Sequence, residues 1–244
     1  MQIYRDIAYN EEQKLDIYVP EKESFNLLVY FHGGGLESGS KEAAGCFARY
    51  LASKGYGVVS ANYRLYPEAN YPDFIDDAAE AVAWVFSHIG EYGKCENIFV
   101  GGSSAGAYLS MMLCFDIHYL GKYGIAPTDI AGYIHDAGQP TCHYNVLRER
   151  GIDRRRVITD ESAPLFHVGT SSGYSPMLFI VSDNDMVNRY EQTMLMISTL
   201  KHFGNENVSL RVMHGTHCSY TGSTDENGYS IFGKVIEEYI SSLK

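Results

Sequence analysis

Basic residues are scarce in this chain. Its 19 lysines and arginines face 30 acidic residues, a formal net charge of −11. Nucleic acid and anionic membrane surfaces both need a basic face, so neither is expected as a partner. Long apolar runs are also missing, and nothing approaches the roughly 18 residues of a membrane span. The opening residues Met1-Gln2-Ile3-Tyr4-Arg5-Asp6 lack the basic segment and apolar core of a secretory signal. The five cysteines (Cys46, Cys95, Cys114, Cys142, Cys218) are odd in number and show no CxxC spacing. They read as reduced thiols, which places the protein in the cytoplasm. Internal repeats and low-complexity linkers are absent. What remains is ordinary globular composition, with 45% hydrophobic and 20% charged residues over 244 positions. That length buries a sizeable core and fits a single domain spanning 1–244.

Strand-like and helix-like segments alternate along the chain. Residues 2–8 and 14–19 read as strands around the polar turn Asn10-Glu11-Glu12. Leu27-Leu28-Val29-Tyr30-Phe31 is a continuous apolar run, as expected for a strand buried on both faces. Further strands are expected at 58–62, 98–100, 130–135, 177–181 and 208–213, with helices at 41–53, 73–89, 105–116, 189–203 and 229–243. This alternation implies an α/β fold with a mostly parallel central sheet and helices on both faces. Residues 138–175 break the pattern: they show no clear period and include Arg148, Arg150, Arg154, Arg155 and Arg156. A connection this long reads as a lid or binding loop, or as a solvated helix with a basic face.

Gly102-Ser103-Ser104-Ala105-Gly106 matches G-x-S-x-G, and it lies after an apolar strand and before a helix. Such a turn pushes the Ser104 hydroxyl above the sheet, with flanking glycines letting strand and helix backbones approach. Ser103 competes but fails the glycine spacing, because Ala105 stands two positions after it. His32-Gly33-Gly34-Gly35 follows the buried strand directly, and consecutive glycines can turn backbone N–H groups into a cleft as an oxyanion hole requires. The Ala105 N–H at the helix start adds a further donor. An acid and a histidine should then follow, each after a strand. Asp183 and Asp185 both follow the strand at 177–181, and His214 and His217 both follow the strand at 208–213. Spacing alone leaves each pair open.

Together with Ala61-Asn62-Tyr63-Arg64-Leu65-Tyr66-Pro67-Glu68, Ser162-Ala163-Pro164-Leu165, Asp185 and His217, these motifs resemble the α/β-hydrolase esterases of the hormone-sensitive-lipase type. The resemblance implies the α/β-hydrolase fold with a short cap insertion at 138–175. It also implies a triad of Ser104, Asp185 and His217, with oxyanion donors at the N–H groups of Gly34, Gly35 and Ala105. No cofactor or metal is implied. Members often carry a longer N-terminal cap segment, whereas His32 comes early here. In this the chain is more similar to small carbohydrate and feruloyl esterases, or to kynurenine formamidases. Leu36 stands where many relatives have an aromatic residue, and the elbow reads GSSAG rather than GDSAG.

The expected activity is serine carboxylesterase action on small soluble esters of short-acyl, acetylated-sugar or feruloyl type. An amide-cleaving relative (an arylformamidase or small peptidase) is the alternative. A catalytically dead ligand-binding hydrolase fold is a third reading, against which His217 stands. The partner is a small-molecule ester, and the oligomeric state is left open, a homodimer included. His135, Asp136, Cys142 and His143 fit no standard zinc spacing, and His135 and His143 read as lining the cleft or sitting in the loop. Tyr66, Tyr144, Tyr174 and Tyr220 are candidates for stacking on a substrate ring, and Cys218 reads as packing.

Overall fold

The computed structural model describes residues 1–171 and 173–243. Residue 172 of the expected 138–175 insertion and residue 244 of the expected domain lie outside the described residues. Eight strands form one sheet: β1 (Gln2–Ala8), β2 (Lys14–Val19), β3 (Ser24–Phe31), β4 (Gly57–Ala61), β5 (Lys94–Ser103), β6 (Gly132–Asp136), β7 (Met177–Asn184) and β8 (Val208–Thr216). Their order across the sheet is β1-β2-β4-β3-β5-β6-β7-β8. β2 pairs antiparallel with both neighbours, and every pairing from β4 to β8 is parallel. The mostly parallel sheet expected from the alternation is present.

Two apolar cores cover its faces. On one face pack α1 (Gly45–Ser53) and α7 (Ile231–Ser242), through Phe47, Leu51, Phe232 and Ile236. The other face holds α2 (Asp73–His88), α3 (Ala105–Phe115) and α6 (Arg189–His202). α2 buries Phe74, Ile75, Ala78, Ala79, Val82 and Val85 at helical spacing, which is why it lies flat on the sheet. All eleven residues of α3 are buried, so this helix runs through the middle of the molecule rather than over its surface.

Three features depart from the sequence reading. β5 starts at Lys94 rather than near 98, because Ser24 and Phe25 of β3 pair with Lys94 and Cys95 and extend a polar strand end. The helix expected over 41–53 opens as a tight 3₁₀ turn, Lys41–Ala44, before α1. The 138–175 stretch holds more order than its aperiodic sequence suggests. A helix α5 (Tyr144–Glu149), a 3₁₀ turn at Pro164–His167 and a small apolar cluster of Cys142, Leu147 and Ala163 organise it. A short helix α4 (Ile117–Gly121) follows α3.

The chain crosses from β3 to β4 on one side and returns to β5 on the other side of β3. At such a switch point the loops leaving β3 and β5 diverge and open a crevice at the carboxyl ends of the strands. The His32–Gly35 loop and Ser104 sit there, joined by the loops after β7 and β8.

Candidate active site

The turn between β5 and α3 brings two backbones almost into contact. A Cβ placed on Gly106 would lie 1.9 Å from the Phe31 carbonyl oxygen, and one on Gly102 would lie 2.3 Å from the Gly106 carbonyl carbon. Only hydrogen fits at either position. Between them Ser104 takes φ 54° and ψ −112°, a left-handed conformation that costs a non-glycine residue of order 1–3 kcal/mol. The Ser104 N–H donates to the Asp136 carbonyl at 2.7 Å, which helps hold the turn. The hydroxyl is thereby lifted into a cleft. Ser103 points elsewhere: it is buried, and its hydroxyl donates to Asp136 at 2.5 Å.

His217 reaches Ser104 from the loop after β8. Its Nε2 lies 2.8 Å from Ser104 Oγ, and its Nδ1 lies 2.5 Å from Asp185 Oδ1. The Asp185 carboxyl is 1% exposed and also accepts from the amides of Ser182 (3.1 Å) and Met186 (2.7 Å). Burial works against its charge, but the His217 and amide hydrogen bonds outweigh burial and hold the carboxyl below its ordinary pKa. The alternatives left open by spacing form a second pair. His214 Nδ1 and Asp183 Oδ2 lie 2.7 Å apart, with side chains 97% and 45% exposed, and among the described residues neither is hydrogen-bonded to Ser104. Asp183 lies in β7 at the register shift between Ser182 and Asn184, and Asp185 follows just past the strand end.

The glycine loop packs against the serine. A Cβ on Gly33 would stand 3.3 Å from Ser104 Cβ. Gly34 and Gly35 have φ of 119° and 67°, and a Cβ on either would lie 2.0 Å from a neighbour, the Ser38 carbonyl oxygen or the Tyr144 hydroxyl respectively. The loop is tied from both sides. Tyr63 stacks on His32 and donates to its carbonyl at 2.8 Å. Asn145 of α5 donates its side-chain amide to the Gly35 carbonyl. Ala105 is the first residue of α3, where an N–H has no acceptor within the helix. A cavity of about 410 Å³ is lined by Gly33, Gly34, Gly35, Ser104, Tyr144 and His217.

Among the four tyrosines singled out from sequence, Tyr144 lines this cavity. Tyr66 carries the Arg148 guanidinium over its ring at 4.3 Å. Tyr174 packs edge-on against Phe115, and Tyr220 is buried with its hydroxyl donating to Asp136, so neither ring is open to a ligand at the serine. Cys218 lines the same cavity as His217, and burial raises its thiol well above the ordinary value. The residues weighed as a metal set have separate partners. His135 meets Ser110 at 2.8 Å, Cys142 meets Asp160 at 3.1 Å, and His143 caps α5. Asp136 serves Ser103 and Tyr220, and burial pushes its carboxyl up to about 6. Sequence reasoning missed Asn145 and Arg189. Their only signal was position, Asn145 at the start of a short helix and Arg189 four residues after Asp185.

No helix among the described residues is long and apolar enough to cross a membrane. The BD-FAE family model matches residues 15–119. Over 148 residues the chain is 30% identical to probable carboxylesterase 3 of Arabidopsis thaliana, a match covering 52% of this chain and 44% of that protein. It is 35% identical over 105 residues to kynurenine formamidase of Salmo salar, covering 42% of this chain and 35% of that protein. The chain thus matches less than half the length of these curated relatives. A truncated carbohydrate esterase from gut microbiota superposes with a TM-score of 0.80 at 18% identity, covering 100% of this chain and 96% of that one.

Proposed function

We propose that this chain, an α/β hydrolase resembling the esterases of the hormone-sensitive-lipase type, is a serine carboxylesterase for small esters. The line of contacts Ser104–His217–Asp185, at 2.8 and 2.5 Å, carries the reading. In this mechanism His217 Nδ1–H donates to Asp185, leaving Nε2 to accept the Ser104 proton as Oγ attacks the ester carbonyl. The N–H groups of Gly34, Gly35 and Ala105 face the oxyanion that forms. The tetrahedral adduct collapses, the C–O bond to the alcohol breaks, and His217 returns its proton to the leaving oxygen. Water then attacks the acyl-serine, giving its proton to His217, and the acid departs as Ser104 regains its hydrogen. Every step uses protein groups and water, so the reaction calls for no cofactor. The described part of the 138–175 insertion acts as a lid within one domain, since Tyr144 and Asn145 rest on the glycine loop.

The chain-length dependence tests substrate size. Each buried CH₂ of an acyl chain is worth about 0.8 kcal/mol, but only where an apolar channel receives it. The cavity at Ser104 is only about 410 Å³, and the neighbouring cavity that shares Tyr144 and Met186 with it is walled by arginines rather than by an aliphatic channel. Acetyl to butyryl p-nitrophenyl esters are therefore expected to show kcat/KM at least ~10-fold above the octanoyl ester. A maximum at octanoyl or beyond overturns the small-ester reading. The similarity to a formamidase supports amide cleavage as a second reading. It would be favoured if N-formylkynurenine gave a higher kcat/KM than every ester in the series.

The two Asp–His pairs give a second test. Asp185→Asn and His217→Ala should each lower kcat on p-nitrophenyl acetate by at least ~10²-fold, because the base loses its orientation or is removed. Asp183→Asn and His214→Ala, at the exposed surface, should keep kcat within about 3-fold of the parent. The reverse pattern would transfer the role to the outer pair.

A further inference from the structure

A second cavity, of about 560 Å³, adjoins the one at Ser104, and Tyr144 and Met186 line both. Its other walls include Arg154, Arg155, Arg156 and Arg189, and none of its lining residues is acidic. In a chain of net charge −11 this is a local reversal of sign.

Arg189 is the informative residue. It is 5% exposed, and its Nε and Nη1 have no hydrogen-bond partner among the described residues. The acid that acts on it electrostatically, Asp185, spends its oxygens on His217 and on the Ser182 and Met186 amides. A guanidinium keeps its proton in proteins. Leaving its donors buried without hydrogen-bond partners is costly, which is why buried cations normally make charge-assisted hydrogen bonds. The rim supports the same reading. Arg154 and Arg156 are exposed and form no ion pair among the described residues, while Arg155 is held by Asp153 at 2.5 Å.

Resting on the esterase reading above, we propose that this cavity is a subsite for a carboxylate carried on the non-reacting part of the substrate, so that the preferred substrates are anionic esters. A planar guanidinium offers parallel N–H donors that match a carboxylate, and burial of Arg189 strengthens that pairing. The volume suits a ring-sized acidic group. Arg154 and Arg156 would draw the anion in from solvent, a steering role that salt weakens.

The experiment uses two matched substrate pairs on the full chain. In the first the carboxylate is on the alcohol side: 4-acetoxybenzoate against 4-acetoxybenzamide. In the second it is on the acyl side: p-nitrophenyl hemisuccinate against p-nitrophenyl butyrate. Within at least one pair kcat/KM should favour the anion by ~10-fold or more, as expected for a buried charge-assisted pair. Which pair responds tells which side of the ester the cavity serves. Arg189→Met should bring that ratio to about 1, and Arg154→Gln with Arg156→Gln, exposed positions that leave the fold intact, should lower it by about 3-fold. Ratios near 1 in both pairs for the parent enzyme, with the neutral esters still cleaved, overturn the subsite and leave the esterase reading standing. Failure to cleave any of the four esters instead overturns the esterase reading. In that event benzoate binding to the Ser104→Ala protein, measured by calorimetry, still decides the subsite. Binding lost in Arg189→Met supports it, and no binding up to ~10 mM overturns it.

Discussion

Ser104→Ala is expected to lower kcat on p-nitrophenyl acetate by at least ~10³-fold, with the melting temperature unchanged or raised. The covalent route disappears, while the glycine loop and the substrate cavities remain, so a residual rate from binding and oxyanion stabilisation persists. Stability should not fall, because the hydroxyl's contact in the free protein is His217, which stays 22% exposed and can turn to water. Ser103→Ala is the control for the neighbouring hydroxyl. It removes one of two hydrogen bonds to a buried carboxylate and so acts on stability, by ~1–3 kcal/mol, far more than on kcat. If Ser103→Ala instead abolished turnover while Ser104→Ala retained it, the assignment of the nucleophile would be wrong.

Gly106→Ala should produce the largest loss of stability of any single methyl group added to this site. The new Cβ would sit 1.9 Å from the Phe31 carbonyl oxygen and 2.7 Å from that of His32. Both obstacles are backbone, so no side chain can swing aside. Relief requires α3 to move off β3, yet all eleven residues of α3 are packed. A penalty of at least ~4 kcal/mol is expected. At roughly 2–4 °C per kcal/mol for a domain of this size, thermal unfolding should shift down by ~8 °C or more. Gly121→Ala is the comparison, because a Cβ there meets nothing within 4 Å. A Gly106→Ala protein melting within a degree or two of the parent would refute the close approach of α3 to β3 (the shift is read by circular dichroism).

Much of this arrangement was readable from the chain because its signals are local. A continuous apolar run such as Leu27–Phe31 can only be a buried strand or helix segment, and the glycines after it decide for the strand. The elbow was readable for the same reason, since the glycine spacing around Ser104 states a steric requirement within five residues. The pairs Asp183/Asp185 and His214/His217 were not readable from spacing. Each choice depends on which histidine reaches Ser104 and on which carboxyl is shielded from water, and both are tertiary facts. Only the resemblance to known esterases separated them beforehand. The order within 138–175 was hidden because its apolar residues, Cys142, Leu147 and Ala163, are spaced too irregularly to form a period. Arg189 was hidden for a related reason. Burial of a charged residue at the first position of a helix leaves no mark in composition.

The small cluster of Cys142, Leu147 and Ala163, with Ile152 and Ile158 packed on it, is separate from the two cores that flank the sheet. Residues 151–157 pack on this cluster through Ile152 and contribute to neither core. Opening of 151–157 alone leaves both cores packed and belongs to the low-free-energy end of the molecule's fluctuations, below global unfolding. Arg154, Arg155 and Arg156 lie in this segment, whereas Ser104, His217 and Asp185 stand at the strand ends of the sheet. Local opening of 151–157 would therefore erase substrate discrimination while leaving the triad and Asn145, which holds the glycine loop, in place, so the temperature at which selectivity fails should lie below the temperature at which turnover fails.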